Sequence, residues 1–359
     1  MTLPRSLRTL LLALVTILTI AWALVYSLTW HPAARADARV TCQADAPLPL
    51  PGQALKVMTW NVQYMAGKRY VFWYDLEDGS GRDLRPTAAD LAHNLDEVAR
   101  VLRDEQPDVV LLQELHDGAR ASDYQDQLQL LRERLSDLYP CSTSAFYWQA
   151  SFVPHPKIMG SVGMKLGTLS RFRIARAERL QLPQANSNWL VRQFQPRHAL
   201  LVSHLPLRSG RELTVINTQL VDPRASGDDA SRQLAMTTSL LDQLENNGSL
   251  WLLGGDFNLL PPGQYQRLPE SQRSRFHPQS ELSPLLARYP SIPSLEETAD
   301  PAWHTQFPND PRVTGADRTL DYIIHSSRLA RLDAQVRRSD TLSISDHLPL
   351  TARLLLPAD

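Results

Sequence analysis

The 359-residue sequence predicts an α/β fold built on mixed β-sheets, and three observations carry that expectation. Short apolar segments such as PDVVLLQEL and WLLGGDFN read as buried strands. Amphipathic stretches fall between them, as in residues 86–105, where Leu91, Leu95, Val98 and Leu102 share one helical face. Strands and helices interleave without a strict βαβ rhythm, which favours mixed sheets over a doubly wound parallel one. Composition is that of a globular chain, with 43% hydrophobic and 21% charged residues, so wholesale disorder is excluded.

Read in order, the chain starts differently. Arg5 and Arg8 precede LLLALVTILTIAWALVYSLTW, an uncharged apolar run long enough to span a bilayer. Residues 1–36 are therefore expected to be a transmembrane anchor or signal segment, with membrane contact through residues 10–30. The run is longer than a secretory core, which favours the anchor, although Ala34-Arg35-Ala36 offers a cleavage site. Either way the basic terminus stays cytoplasmic and the remainder is exported to the periplasmic or extracellular side, secreted if cleaved near Ala36. Residues 37–53, with the Pro-rich DAPLPLPGQ, read as an exposed linker, and residues 54–357 as the globular domain.

Within that domain LKVMTWNVQYM is a strand, followed by an aromatic- and glycine-rich loop. YQDQLQLLRERLSDL is a helix. VGMKLGTLSRF, RHALLVSHLPL and ELTVINTQLV read as sheet. SGDDASRQLAMTTSLLDQL is a helix capped by Ser226 or Asp228. Residues 260–316 are mostly loop, and RTLDYIIHS and TARLLL close the chain as strands.

Charge and cysteine content narrow the function. Net charge is −1, and removing Arg5, Arg8 and Arg35 with the first 36 residues leaves −4, a balance unsuited to gripping long nucleic acid through many phosphates. Cys42 and Cys141 are the only cysteines and stand in no C-x-x-C or Cys/His cluster, so zinc has no support. In an oxidising compartment they are placed to form a disulfide, a pairing that sequence leaves open.

The chemistry gathers at strand ends. Asn61 ends KVMTWN, Glu114 ends VVLLQE, Asp256 and Asn258 end LLGGDFN, Asp321 opens DYII, and Asp346-His347 precede LPLTARLLL. A single Asp or Asn after two glycines is an ordinary turn; five such places form a pattern. Buried carboxylates need a partner, and few Lys or Arg lie in these strands, so a metal is expected. All-oxygen ligation suits Mg²⁺ or Mn²⁺, and a hard divalent ion beside a histidine suits phosphoester hydrolysis by an activated water.

WNV, PDVVLLQE, LSRF, INTQL, GGDFN, RTLDYI and SDHLPL occur in the order and spacing of the endonuclease/exonuclease/phosphatase superfamily, which the chain resembles over roughly residues 54–357. The resemblance implies a four-layer α/β sandwich, two mixed sheets packed face to face with helices outside. It also implies roles: Glu114 as principal metal ligand with Asn61 beside it, and Asp346 as support. Asp256 would orient or deprotonate water, Asn258 would hold water or phosphate, and His347, oriented by Asp321, would bind the phosphate.

One departure matters. Where many hydrolytic members read NTHL, this chain reads NTQL, so Gln219 replaces a histidine thought to protonate the leaving oxygen. A proton from a metal-bound water or from a nearby group such as His204 or His304, a good leaving group, or a weak or silent domain would each account for it. His204 also reads as a satisfied core or surface histidine. The loop with Tyr70, Phe72, Trp73 and Tyr74 reads either as a lip beside the site or as a satellite core, and HTQFPND as a substrate loop or an ordinary turn. The expected substrate is a phosphoester, a lipid headgroup or small phosphodiester in preference to nucleic acid; an exported nuclease and a silent binding domain are the alternatives.

Overall fold

A computed structural model describes residues 4–72, 75–76, 78–184, 187–222, 228–310 and 312–358. Fourteen strands are present among them: β1 Arg35–Asp37, β2 Val40–Cys42, β3 Ala54–Asn61, β4 Val109–His116, β5 Cys141–Val153, β6 Gly160–Ser170 and β7 Arg176–Gln181. There follow β8 Ala199–Pro206, β9 Glu212–Gln219, β10 Leu250–Asp256, β11 Ser291–Ile292, β12 Asp321–His325, β13 Ala330–Val336 and β14 Leu350–Leu355. The helices are α1 Arg5–Leu28, α2 Ala88–Glu105, α3 Gln127–Arg134, α4 Trp189–Phe194, α5 Asp229–Asn246, α6 Glu270–Arg273 and α7 Ser283–Arg288.

Two seven-stranded mixed sheets result, ordered β13-β14-β3-β4-β6-β5-β2 and β1-β7-β8-β9-β10-β12-β11. The central strands read as continuous apolar runs because both faces are buried. In β3, Leu55 and Val57 enter the core between the sheets while Met58 and Trp60 pack beneath α2. In β10, Leu250 and Leu252 face the same inner core while Trp251 and Leu253 lie against α5 and α7. Helix–sheet–sheet–helix is the four-layer sandwich that the sequence led us to expect.

Local signals explain the helix starts. Thr87 caps α2 by accepting from the Asp90 N–H, and Asp126 caps α3 by accepting from Gln129. Asp228 stands at the α5 N-cap position without a side-chain cap bond, and Ser226 lies outside the described residues.

The stretch 37–53, expected as an exposed linker, is extended but held. β1 pairs with β7, β2 pairs with β5, and the Arg173 and Arg208 N–H groups bond to the Pro47 and Pro49 carbonyls. The backbone of residues 35–42 supplies partners to two sheet edges that would otherwise be open, so the fold begins before the stretch expected as a linker. Cys42 and Cys141, opposite one another in the β2–β5 register, are joined as a disulfide.

Candidate active site

The register of the central strands decides what reaches the gap between the sheets. Alternation from the inner residues Val57, Val215 and Leu252 carries Asn61, Gln219 and Asp256 to that same inner side at the strands' carboxyl ends. Two glycines let β10 lie close to its neighbours. A Cβ on Gly255 would collide with the Thr218 carbonyl of β9, so the Gly-Gly of WLLGGDFN serves packing as well as the turn.

Glu114 arrives differently. Strict alternation from Leu111 and Gln113 would turn it outward, toward the helices. A bulge between Leu112 and Leu115, with Glu114 at φ 58°, aims it inward instead. Asn258 at φ 53° is likewise in the left-handed region, and its side chain donates to the Leu220 carbonyl at 2.9 Å.

The side chains converge. The Asn61 amide donates to Glu114 at 2.8 Å and to Asp256 at 3.2 Å. Gln219 donates to the same two carboxylates at 2.8 and 3.4 Å. Asp256 and Asp321 face each other directly across β10 and β12, an arrangement of like charges that needs a counter-ion. His347 supplies it, with Nδ1 2.8 Å from Asp321 and Nε2 3.8 Å from Asp256. Glu114, Gln219, Asp256, Asn258, Asp346 and His347 line one cavity of about 300 Å³, behind which Asn61 and Asp321 stand buried.

Electrostatics follow from burial and proximity. Burial raises the Glu114 carboxyl and nearby Asp346 raises it further, against the amides of Asn61 and Gln219. Burial also raises Asp256, opposed by the His347 charge and reinforced by Asp321 and Glu114. For His347 burial acts to lower the pKa, but Asp321 and Asp256 outweigh it and hold the imidazole protonated well above its ordinary range. Glu114, Asp256 and Asp346, with Asp75 and Asp222 further along, thus share the cavity wall with the His347 imidazolium. An all-oxygen set with excess negative charge fits a hard divalent cation at Glu114, with Asp346 and Asp256 within the same cavity. Asp256, Asp321 and His347 also lie within 4.8 Å of one another, but the His347–Asp321 bond already accounts for that grouping.

Other expected residues lie elsewhere. His304 meets the Ala316 carbonyl at 3.4 Å and does not line the cavity, so Gln219 has no substitute donor there. His204 is paired with Glu212 at 2.6 Å on β8, away from the strand ends that carry the site. Tyr70 and Phe72 pack with Tyr64 and Ala66 as a satellite core; Trp73 and Tyr74 are outside the described residues. From HTQFPND, Gln306 and Asn309 do line the cavity.

Several residues went unforeseen. Tyr147 donates to the Gln219 side-chain oxygen at 2.7 Å, and His198 stacks on Tyr147 while its Nδ1 meets the Gln219 carbonyl at 2.8 Å. Burial pushes His198 down to about 4, so it is neutral near pH 7. Arg275 and Arg318 bring positive charge to the cavity wall. Tyr147 lies within β5 and Arg275 in a loop, whereas His198 and Arg318 stand just before β8 and β12, in RHALLVSHLPL and RTLDYIIHS, where their position at a strand start was the available signal.

The sequence matches the Endonuclease/Exonuclease/phosphatase family over residues 58–347. The chain belongs to this family. Among curated proteins a sequence search finds no match. Similar folds occur in an endonuclease/exonuclease/phosphatase from Beutenbergia cavernae, 22% identical with a TM-score of 0.56, covering 85% of this chain and 72% of that one. The human Nocturnin catalytic domain with bound sulfate is 19% identical with a TM-score of 0.53, covering 88% and 96%. ANGEL2, described as a 2′,3′-cyclic phosphatase, is 18% identical with a TM-score of 0.54, covering 89% and 98%. At these identities the likeness is one of fold.

Proposed function

We propose that this family member is a phosphoester hydrolase dependent on Mg²⁺ or Mn²⁺, tethered to a membrane with its site on the exported side. One observation carries the reading: Glu114, Asp256 and Asp346 share a cavity with a protonated His347 held by Asp321. Glu114 and Asp346 would hold the ion, with Asn61 fixing Glu114 and Asp256 at their present separation. An ion held there would supply polarisation of the phosphoryl oxygens and a lowered pKa for bound water. Asp256, a carboxylate made more basic by burial, takes the proton from the attacking water. Asn258 keeps Asp256 oriented through its backbone N–H at 2.9 Å. His347 donates to a phosphate oxygen as negative charge develops there. Gln219 positions Glu114 and Asp256 but has no proton to give the leaving oxygen, which favours substrates with a good leaving group.

The anchor reading rests on α1, 24 residues long and without a buried side chain, and on the pairing of the segment just after it. Cleavage after Ala36 would cut through β1 and remove Arg35, which pairs with Glu178. The Cys42–Cys141 disulfide suits an oxidising compartment and so supports the exported side. The net charge of −4 after residue 36 favours a lipid headgroup or small phosphodiester over nucleic acid.

The test uses full-length protein in nanodiscs with Mg²⁺ or Mn²⁺, assayed on a chromogenic phosphodiester, phospholipid and plasmid DNA. Expected are turnover abolished by EDTA and by Asp256→Ala, and a preference for the phosphodiester or lipid over DNA. Turnover that survives EDTA would refute metal dependence; none on any substrate would turn the reading toward a silent binding domain.

A further inference from the structure

The position at which α1 joins the domain has a consequence for which way the cavity faces. Thr29, directly after the helix, bridges to Ala150 on β5, two residues beyond Trp148, which lines the site cavity. Trp30 packs edge-on against Phe146 with ring centroids 6.3 Å apart, and the buried Arg179 guanidinium lies 4.8 Å over its indole ring. No free linker separates helix from fold. A 24-residue helix is roughly 36 Å long and an average hydrocarbon core about 30 Å thick. With α1 spanning a bilayer, the end of the sandwich that carries the cavity is held at the lipid surface.

That same end exposes apolar groups. Outside α1, ten large hydrophobic side chains are exposed among the described residues, and six of them belong to loops at the site end. Trp189, Leu190 and Val191 are 53%, 46% and 46% exposed on α4, in the loop joining β7 to β8 at their site-side ends. α4 is docked on the cavity wall, since the Trp148 indole donates to the Phe194 carbonyl at 2.8 Å. Met159, 49% exposed, occupies the tip of the β5–β6 hairpin, and Leu84 and Tyr124 come from neighbouring loops. The hairpin tip is braced, because Arg120 donates to the Met159 carbonyl and Lys157 to Asp83. A second cavity of about 580 Å³, lined by Ile158, Met159 and Val162, runs from that tip to Glu114 and shares Trp148 and Met164 with the site cavity.

Single exposed apolar residues need no explanation, but their gathering on the loops of one end does. Trp with aliphatic neighbours on a short helix is suited to the boundary between headgroups and acyl chains. We infer that the site end is a bilayer-docking face, tethered by α1 and seated by α4 and the β5–β6 hairpin tip, so that the cavity opens onto lipid headgroups. The second cavity then lies where the apolar part of an amphiphilic phosphoester would sit. The geometry stands on α1 as a span; the lipid phosphoester as substrate rests in addition on the hydrolase reading above.

The experiment reads depth, not activity. Full-length protein carrying Leu190→Cys, Met159→Cys or Leu332→Cys is spin-labelled in nanodiscs of phosphatidylcholine and phosphatidylglycerol. Leu332, exposed on β13, is the aqueous control. Collision with a water-soluble nickel chelate, relative to oxygen, should fall at least about threefold at 190 and 159 compared with 332. Two labels on separate elements guard against one variant misfolding. Labels at 190 and 159 as open to nickel as that at 332 would overturn the docking face, whatever the enzyme hydrolyses. The same nanodiscs receive a chromogenic phosphodiester with Mg²⁺. Labels in the lipid with no turnover would keep the docking face and retire the hydrolase reading.

Discussion

The site end of the sandwich and the seam along its β5/β7 edge are built on opposite terms. At the site end Glu114, Asp256, Asp321 and Asp346 crowd together with His347 as the imidazolium among them, and Glu114 and Asn258 hold positive φ. At the seam the buried cation and the strand edges are satisfied. Arg179, though buried, donates to the carbonyls of Phe146, Arg197 and Ala33, while β1 and β2 cover two sheet edges and a disulfide closes a separation of 99 residues. Buried like charge without compensation costs stability and is kept where an external charge completes it. Substitutions at the two places should therefore act on different quantities: activity and electrostatic strain at one, stability alone at the other.

The largest effect is expected from Asp256→Ala. On the proposed reading, in which Asp256 takes the proton from water, its loss should lower kcat on a phosphodiester by roughly 10³-fold or more, about 4 kcal/mol of barrier, with the fold retained. A variant within tenfold of the wild type would mean that Asp256 has no part in the reaction. At the seam, Cys42→Ser with Cys141→Ser should leave activity per folded molecule unchanged. It should lower unfolding stability by about 4.7 kcal/mol, the loop-closure value for a span of this size. Denaturant titration measures it, and a loss under about 1 kcal/mol would show that backbone pairing alone holds the seam.

These differences also explain how much could be read from the sequence. β3, β4, β9, β10 and β12 are visible because burial on both faces makes them largely apolar, and β14 through its run of leucines. β1, β2, β7 and β13 are edge or near-edge strands with polar alternation, as in RAERLQ, and β5 mixes Ser and Gln with aromatics; none gives a continuous apolar run. Asn61, Asp256 and Asp321 were legible as polar residues at the ends of such runs. The aim of Glu114 was not, since it depends on a bulge that no residue type announces. His198 and Arg318 stand just before strands that were legible, but nothing in the sequence joins them with Arg275, and their convergence is a tertiary fact.

A third prediction returns to the site end. Asp75 lines the cavity wall, and burial raises its carboxyl to about 7, with Asp346 adding to the rise against the Phe72 N–H. Between pH 4 and 7 the unfolded chain releases this proton while the folded chain keeps it, so the unfolded state binds fewer protons and stability falls as pH rises. Asp75→Asn keeps an acceptor for the Phe72 N–H and removes the penalty. In EDTA the variant should match wild type near pH 3.5. It should gain steadily to pH 7, by up to about 4 kcal/mol, and level off beyond. A gap independent of pH would mean that Asp75 ionises freely.

The smallest effect separates two explanations of the seam. Arg35 and Glu178 form an ion pair that looks like a clasp on β1, but the Arg35 side chain is 74% exposed. An exposed pair gains little in high dielectric and loses side-chain freedom, so Arg35→Ala should cost no more than about 0.5 kcal/mol. Backbone pairing of Arg35 with Leu180 survives the substitution, and Glu178 keeps His204 3.9 Å away. If the seam is held by backbone pairing and the disulfide, Arg35→Ala combined with the double serine variant should add only its own loss of up to about 0.5 kcal/mol, because the sites share no partner and their effects are additive. A loss well above about 1.5 kcal/mol from Arg35→Ala alone would make the seam ionic. It would then weaken with salt, as the disulfide contribution does not.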